Sequence, residues 1–186
     1  DSSLTLSTDK GMVRVRFLNP ESVEVFYQPT GLAQLDSFAL IGGGFTGTTE
    51  LKERAGSLDF STTALKVRID KAPLRIHFEK DGKILLSENG GLQMTGTTRG
   101  FNFALQPQEK LMGTGQRVLG MDRRGHKLPL YNKASYGYTT KAEQMYYSLP
   151  AVVSSNKYLL LFDNTASGEV DLGKTDKDTL SFSAVD

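Results

Sequence analysis

Residues 112–132, MGTGQRVLGMDRRGHKLPLYN, gather types that do chemistry: close glycines, Arg117, Arg123, Arg124, Lys127, Asp122 and His126. Gly115 and Gly120 have the Gly-x4-Gly spacing of a phosphate-binding loop. Such a loop next needs a Lys and a Ser or Thr to reach the phosphates and magnesium. Met121 and Asp122 stand there instead, and a carboxylate repels phosphate. The dinucleotide pattern fails too, because Val118 takes the place of the Gly that lets a helix pack closely. A nucleotide site is excluded on these grounds.

The basic cluster is followed by aromatic residues, the make-up of a platform for stacked bases. The chain as a whole carries a net charge of only +1, too little to steer a polyanion. The arginines therefore read as structural, one of them pairing with Asp122 or Glu109, and no nucleic-acid partner is expected. His77 and His126 are the only 2 histidines and neither has a second ligand nearby, so no metal site and no cofactor are expected. Cysteine is absent, which removes thiolate nucleophiles, thiolate metal ligands and disulfides. No serine sits in a nucleophile-elbow motif. The carboxylates Asp36, Glu50, Asp59 and Asp122 are scattered. Nothing in the sequence marks two of them as the facing pair, about 5 Å apart, that retaining glycoside hydrolysis uses. One feature does suit a ligand. Tyr131, Tyr136, Tyr138, Tyr146 and Tyr147 fall in a single short window of a chain with 7 tyrosines. Each offers an apolar face and a hydroxyl, which suits a sugar ring and also suits the edge of a sheet.

The elements that must position these residues alternate with period two. VRVRF places Val13, Val15 and Phe17 on one face and Arg14 and Arg16 on the other. VEVFY, LKVRI, LRIHF and GFNFAL repeat the pattern, as expected of antiparallel sheets with one face buried. Asp81-Gly82 predicts a tight hairpin turn, and Ser155-Asn156 a second one between AVVSS and YLLLF. GLAQLDSFAL and KAEQMYY could each form a short helical turn. The glycine-rich IGGGFTGTTE reads as a connector. The 186 residues suit one domain with a real core. Ten or more short strands predict an all-β antiparallel sandwich. No stretch of about 18 apolar residues is present, so no membrane-spanning helix is expected. The polar first residues and the strand-like LSFSAVD at the other end set the expectation of a domain from a longer chain.

Three consecutive segments carry a resemblance. GTGQR, MDRRG and LYNKASYGY follow the order and spacing of Gly-x-Gly-Glu-Arg, Asn-Arg-Arg-Gly and Leu-Trp-Asn-x-Asp-x-Tyr-Gly. These motifs mark the N-terminal β-sandwich of glycoside hydrolase family 31, and YYSLPAVVSSNKYLLLFDN resembles the hairpin that comes after them. The resemblance implies a galactose mutarotase-like supersandwich spanning 1–186 as a single N-terminal domain, with a catalytic (β/α)8 barrel downstream. It implies a parent chain that is a retaining, glucosidase-like α-glycosidase, with no catalytic residue in this segment. It implies that the domain packs on its own barrel and lends a loop to the site for an α-linked oligosaccharide. By motif, that loop supplies Tyr131, Asn132, Lys133, Ala134, Ser135 and Tyr136 as substrate-binding residues. Relatives commonly carry Asp at the position of Ala134, whose methyl cannot accept a hydrogen bond from a sugar hydroxyl, and Tyr131 and Gln116 replace a Trp and a Glu. A periplasmic or secreted location suits such an enzyme. A free-standing carbohydrate-binding module using the same tyrosines is the alternative, and a scaffold domain with an apolar docking face is a third possibility.

Overall fold

The computed structural model describes residues 2–33, 35, 37, 39–41 and 44–185. Asp36 and the centre of the glycine-rich connector lie outside the described residues, as does part of the GLAQLDSFAL stretch. Among the described residues there is no helix. The chain divides into two compact units, 1–84 and 85–186, with the boundary inside one strand.

The first unit contains β1 (Ser3–Thr8), β2 (Gly11–Asn19), β3 (Ser22–Pro29), β4 (Glu50–Arg54), β5 (Ser57–Ser61), β6 (Lys66–Lys71) and β7 (Leu74–Lys80). β1, β2 and β3 form one antiparallel meander, and β4 to β7 form another. The alternation read from VRVRF is the packing rule here. Val13, Val15 and Phe17 point into a core completed by Leu58, Phe60, Val67, Ile69 and Ile76. The Phe17 and Phe60 rings sit 5.0 Å apart across that core. Arg14 and Arg16, on the other face, pair with Glu24 at 3.5 and 3.1 Å. After β7, Asp81 and Gly82 both take positive φ (51° and 73°), the sign pattern of the expected type I′ turn.

β8 (Lys83–Asn89) holds the boundary, and the second unit continues with β9 (Gln93–Thr95), β10 (Thr98–Ala104), β11 (Leu111–Gly115), β12 (Lys127–Leu130), β13 (Ser148–Ser154), β14 (Leu159–Leu161), β15 (Gly168–Leu172) and β16 (Thr179–Val185). One antiparallel sheet runs β12-β15-β16-β10, with β8 and β9 also paired to β10. The other runs β11-β13-β14. Phe162 joins the layers: its ring stacks on Phe182 at 4.1 Å and meets the edge of Phe103 at 5.9 Å. Leu111, Leu128, Val152, Val170, Leu172 and Leu180 fill the rest of this core. The architecture is an all-β antiparallel sandwich.

The opening stretch is a strand, a turn and a strand, but its strands do not pair with each other. β11 belongs to the β13 sheet and β12 to the β15 sheet. Residues 116–126 therefore carry the chain from one layer to the other. The KAEQMYY stretch also departs from expectation, forming turns and bends rather than a helical turn. The Ala142 carbonyl accepts the Val118 N–H at 3.0 Å, and the Glu143 carbonyl accepts from Arg117 at 2.7 Å. A helix would need those carbonyls for its own ladder.

Candidate functional site

The layer crossing is built around buried donors. Arg117, only 7% exposed, donates from Nη1 to the Glu143 carbonyl at 2.7 Å. Its Nη2 donates to the carbonyls of Thr114 at 3.0 Å and Pro129 at 2.7 Å. One guanidinium thus ties the end of β11, the middle of β12 and the segment leading to β13. Burial lowers the Arg117 pKa, the nearby Arg123 charge lowers it further, and Glu143 opposes both. Arg124 does a similar job, donating to the carbonyls of Gln106, Glu109 and Lys177 at 2.7, 2.9 and 2.8 Å. Arg117 and Arg124 thus take backbone carbonyls as partners, rather than the carboxylates expected from the sequence. Asp122 is exposed but bound locally: its Oδ1 accepts the Leu111 and Arg124 N–H groups at 3.1 and 3.0 Å. His126 Nδ1 lies 3.1 Å from Glu143, and His77 Nε2 lies 3.1 Å from Asp70. No group of three metal-ligating side chains occurs among the described residues.

From this crossing a loop, residues 131–147, leaves β12 and returns to β13. Its two ends are pinned together. Asn132 Oδ1 accepts both the Ser148 N–H at 2.6 Å and the Ser148 hydroxyl at 2.9 Å. Gln144 Nε2 donates to the Tyr131 carbonyl at 3.2 Å. Between these clamps the aromatic residues cluster. Tyr146 takes Tyr136 on its edge at 6.1 Å and Tyr138 at 6.3 Å, both nearly perpendicular. Gly137, at φ 72°, makes the turn between those two partners. Tyr136 is 87% exposed, and Tyr131, Tyr138, Tyr146 and Tyr147 are also open to solvent.

Of the residues expected to bind substrate, Tyr131, Asn132, Lys133, Ala134 and Tyr136 are exposed and Ser135 is half-buried. Asn132 is different, because its side-chain oxygen already holds the loop closed. Sequence reasoning did not single out Arg117, Gln144 or Ser148 as supports of this loop, nor Tyr146 as the residue joining Tyr136 and Tyr138. The tyrosine window alone signalled the last of these. The clamp has a measurable consequence. Asn132→Ala removes the acceptor for two Ser148 donors and is expected to cost about 1–2 kcal/mol. The Ser148 amide should then exchange with deuterium faster, while core amides such as that of Leu180 keep their protection.

A two-layered antiparallel sandwich with this strand arrangement is galactose mutarotase-like. The chain belongs to the glycosyl hydrolase 31 N-terminal galactose mutarotase-like domain family, whose model matches residues 11–171. It is 23% identical over 184 residues to alpha-glucosidase 2 of Bacillus thermoamyloliquefaciens, covering 95% of this chain and 23% of that protein. The structure superposes with a TM-score of 0.90 on a family 31 dextranase of Flavobacterium johnsoniae solved with isomaltotriose. That match has 25% identity and covers 98% of this chain and 24% of the dextranase. The cycloalternan-forming enzyme of Listeria monocytogenes, solved with a pentasaccharide substrate, gives a TM-score of 0.86 at 21% identity. It is matched over 100% of this chain and 18% of its own length. The chain therefore spans about a quarter or less of the length of these relatives.

Proposed function

We propose that this chain is the non-catalytic N-terminal sandwich of a retaining, glucosidase-like α-glycosidase, a single domain whose polypeptide continues into a catalytic (β/α)8 barrel. In this reading the sandwich packs on the barrel, and Tyr131, Asn132, Lys133, Ala134, Ser135 and Tyr136 contribute to the site for an α-linked oligosaccharide. The observation that carries it is the loop itself: closed at its base by Asn132 and Gln144, it holds open tyrosine faces in fixed relation. Preorganised aromatic faces suit sugar rings because little side-chain freedom is lost on binding. Asn132 contributes by fixing the loop through its side-chain oxygen.

The buried carboxylates support a structural role for this segment. Glu109 accepts from Tyr158, Ser154 and the Gln106 N–H. Asp171 caps the Lys174 and Thr175 amides, and Glu79 pairs with Lys66 and Arg68. Carboxylates tied in this way are poorly placed for acid–base work. One relative is an alpha-glucosidase and another, a dextranase, was solved with isomaltotriose, which supports an α-linked substrate.

The isolated chain is expected to show no turnover of an aryl α-glucoside, and the longer polypeptide that carries it to hydrolyse the same substrate with retention. Turnover by the isolated chain, or an inactive longer polypeptide, sinks the reading. The exposed Tyr136–Tyr146 pair favours one alternative, a free-standing sugar-binding module. Calorimetry of the isolated chain with maltose separates the two, since saturable heat without any barrel supports the module.

A further inference from the structure

A cleft of about 880 Å³ opens where the layer crossing meets the return of the tyrosine loop. On the loop side it is lined by a turn, closed by the Ala142 N–H donating to the Thr139 carbonyl at 3.2 Å. The turn holds Lys141 at φ 67°, a left-handed conformation uncommon for a lysine. Thr140 and Lys141 line the cleft and are exposed. Neither side chain has a hydrogen bond or an ion pair among the described residues. On the crossing side, Val118 and Leu119 add apolar surface and Arg117 adds its charge.

The charge around this cleft is unbalanced. Arg117 directs its Nη donors to backbone carbonyls, and its Nε has no partner. A carbonyl is a dipole, so it solvates a guanidinium without neutralising it. Arg123 is close enough for its charge to act on Arg117, and its own Nε and Nη1 are buried without partners. Neither guanidinium pairs with a carboxylate among the described residues. Glu143 brings the one carboxylate that lines the cleft, and His126 Nδ1 lies 3.1 Å from it. It is also the one acid in loop 131–147, which carries Lys133 as well as Lys141. Elsewhere basic side chains are matched, as Arg16 is with Glu24 and Lys127 with Glu169.

We infer that this cleft binds a carbohydrate bearing an oxyanion, a uronate carboxylate or a sulfate ester, and so selects acidic over neutral oligosaccharides. The carbohydrate part of this inference rests on the function proposed above. Lys141 and Thr140 donate to the oxyanion, within the positive field of Arg117 and Arg123. Val118 and Leu119 take the apolar face of the ring. Two features favour a sugar over a small inorganic ion. The cleft has the size of a pocket for an organic ligand. Its lysine also lies in the same loop as the tyrosines, three residues after Tyr138. A ring held by its charge at Lys141 is thereby kept beside aromatic faces.

NMR titration of the chain with D-glucuronate, a glucose sulfate ester, D-glucose and inorganic sulfate tests the cleft. Saturable shifts of the Gly120 and Lys141 amides are expected with the acidic sugars and not with glucose at the same concentration. Added salt should weaken them. Lys141→Gln, at an exposed position, is expected to weaken binding roughly tenfold, the loss of one charge-assisted hydrogen bond. Lys141→Arg keeps the charge and should keep most of the affinity. Binding of only one acidic sugar supports the cleft and says which oxyanion it takes. Equal shifts with glucose, or an unchanged affinity in Lys141→Gln, overturn it. Shifts from inorganic sulfate without any from the acidic sugars mean an adventitious ion only, and overturn it too. No acidic-sugar binding, with the longer polypeptide active on a neutral aryl α-glucoside, overturns the cleft and leaves the proposed function standing. Acidic-sugar binding with an inactive longer polypeptide upholds the cleft and counts against that function.

Discussion

Arg117→Ala is expected to lower the unfolding free energy by roughly 3–5 kcal/mol, because it strands three carbonyl acceptors around a buried position. A hydrogen bond from a charged donor to a protein group contributes about 1.5–3 kcal/mol, and a buried acceptor left alone costs about 1–3 kcal/mol. Thr114 is fully buried, so water cannot replace the guanidinium there. Pro129 is half-buried and Glu143 exposed, so water can partly satisfy their carbonyls, which keeps the total below three full penalties. The charge stays on, since arginine does not lose its proton in proteins even where burial lowers its pKa. Arg117→Lys should recover only part of the loss, because one ammonium cannot reach carbonyls contributed by three separate segments. Urea unfolding followed by tyrosine fluorescence suits a chain with no tryptophan. Hydrogen exchange at Val118, whose N–H bonds the Ala142 carbonyl at 3.0 Å, reads the local effect. A loss smaller than about 1 kcal/mol would place the support of the crossing elsewhere, since it would match one exposed hydrogen bond.

That one residue reaches so far explains which parts of the molecule the sequence revealed. Period-two alternation identified β2, β3, β6, β7 and β10, because a strand with one buried face writes its environment at every second position. Asp81-Gly82 revealed its turn, because few residues other than these accept positive φ in succession. The layer crossing was hidden. Alternation says that a segment is a strand and which face is buried, but not which strand it pairs with. The partners of β11 and β12 lie in separate sheets, and pairing of that kind is set by long-range packing. Arg117 was hidden for a related reason. Its acceptors are carbonyls 3, 12 and 26 residues away, and a carbonyl carries no side-chain signature. The loop shows both cases together. Its tyrosines were visible as a cluster, and its clamp was not, because Asn132 and Ser148 are common residue types that meet only once the chain has folded.

The same physics makes the β13–β14 hairpin sensitive to alkali. Stability is expected to fall by about 1.4 kcal/mol for each pH unit above roughly 10 through Tyr158 alone. Burial, and then the hydrogen bond and charge of Glu109, push the Tyr158 phenol far above its usual pKa; the Ser154 hydroxyl and Arg124 act weakly the other way. Its hydroxyl donates to Glu109 Oε1 at 2.6 Å, and Glu109 is only 3% exposed. A phenolate there would face a carboxylate without water between them, so the folded chain keeps the proton. The unfolded chain releases it near pH 10. Between those two values the folded state binds one proton more than the unfolded state. The contribution is complete below about pH 10 and is lost as pH rises toward the folded value. Raised lysines such as Lys127, held by Glu169, lose stability in the same direction and are common to any variant compared. Tyr158→Phe isolates the phenol. At pH 8 the variant should be less stable, because Glu109 loses one donor while Ser154 and the Gln106 N–H remain. Above pH 10 its stability should fall less steeply than that of the unsubstituted chain, and the two curves should converge. Parallel curves from pH 8 to 11 in urea unfolding would mean that Tyr158 ionises alike in both states, and that the Glu109 contact does not hold its proton.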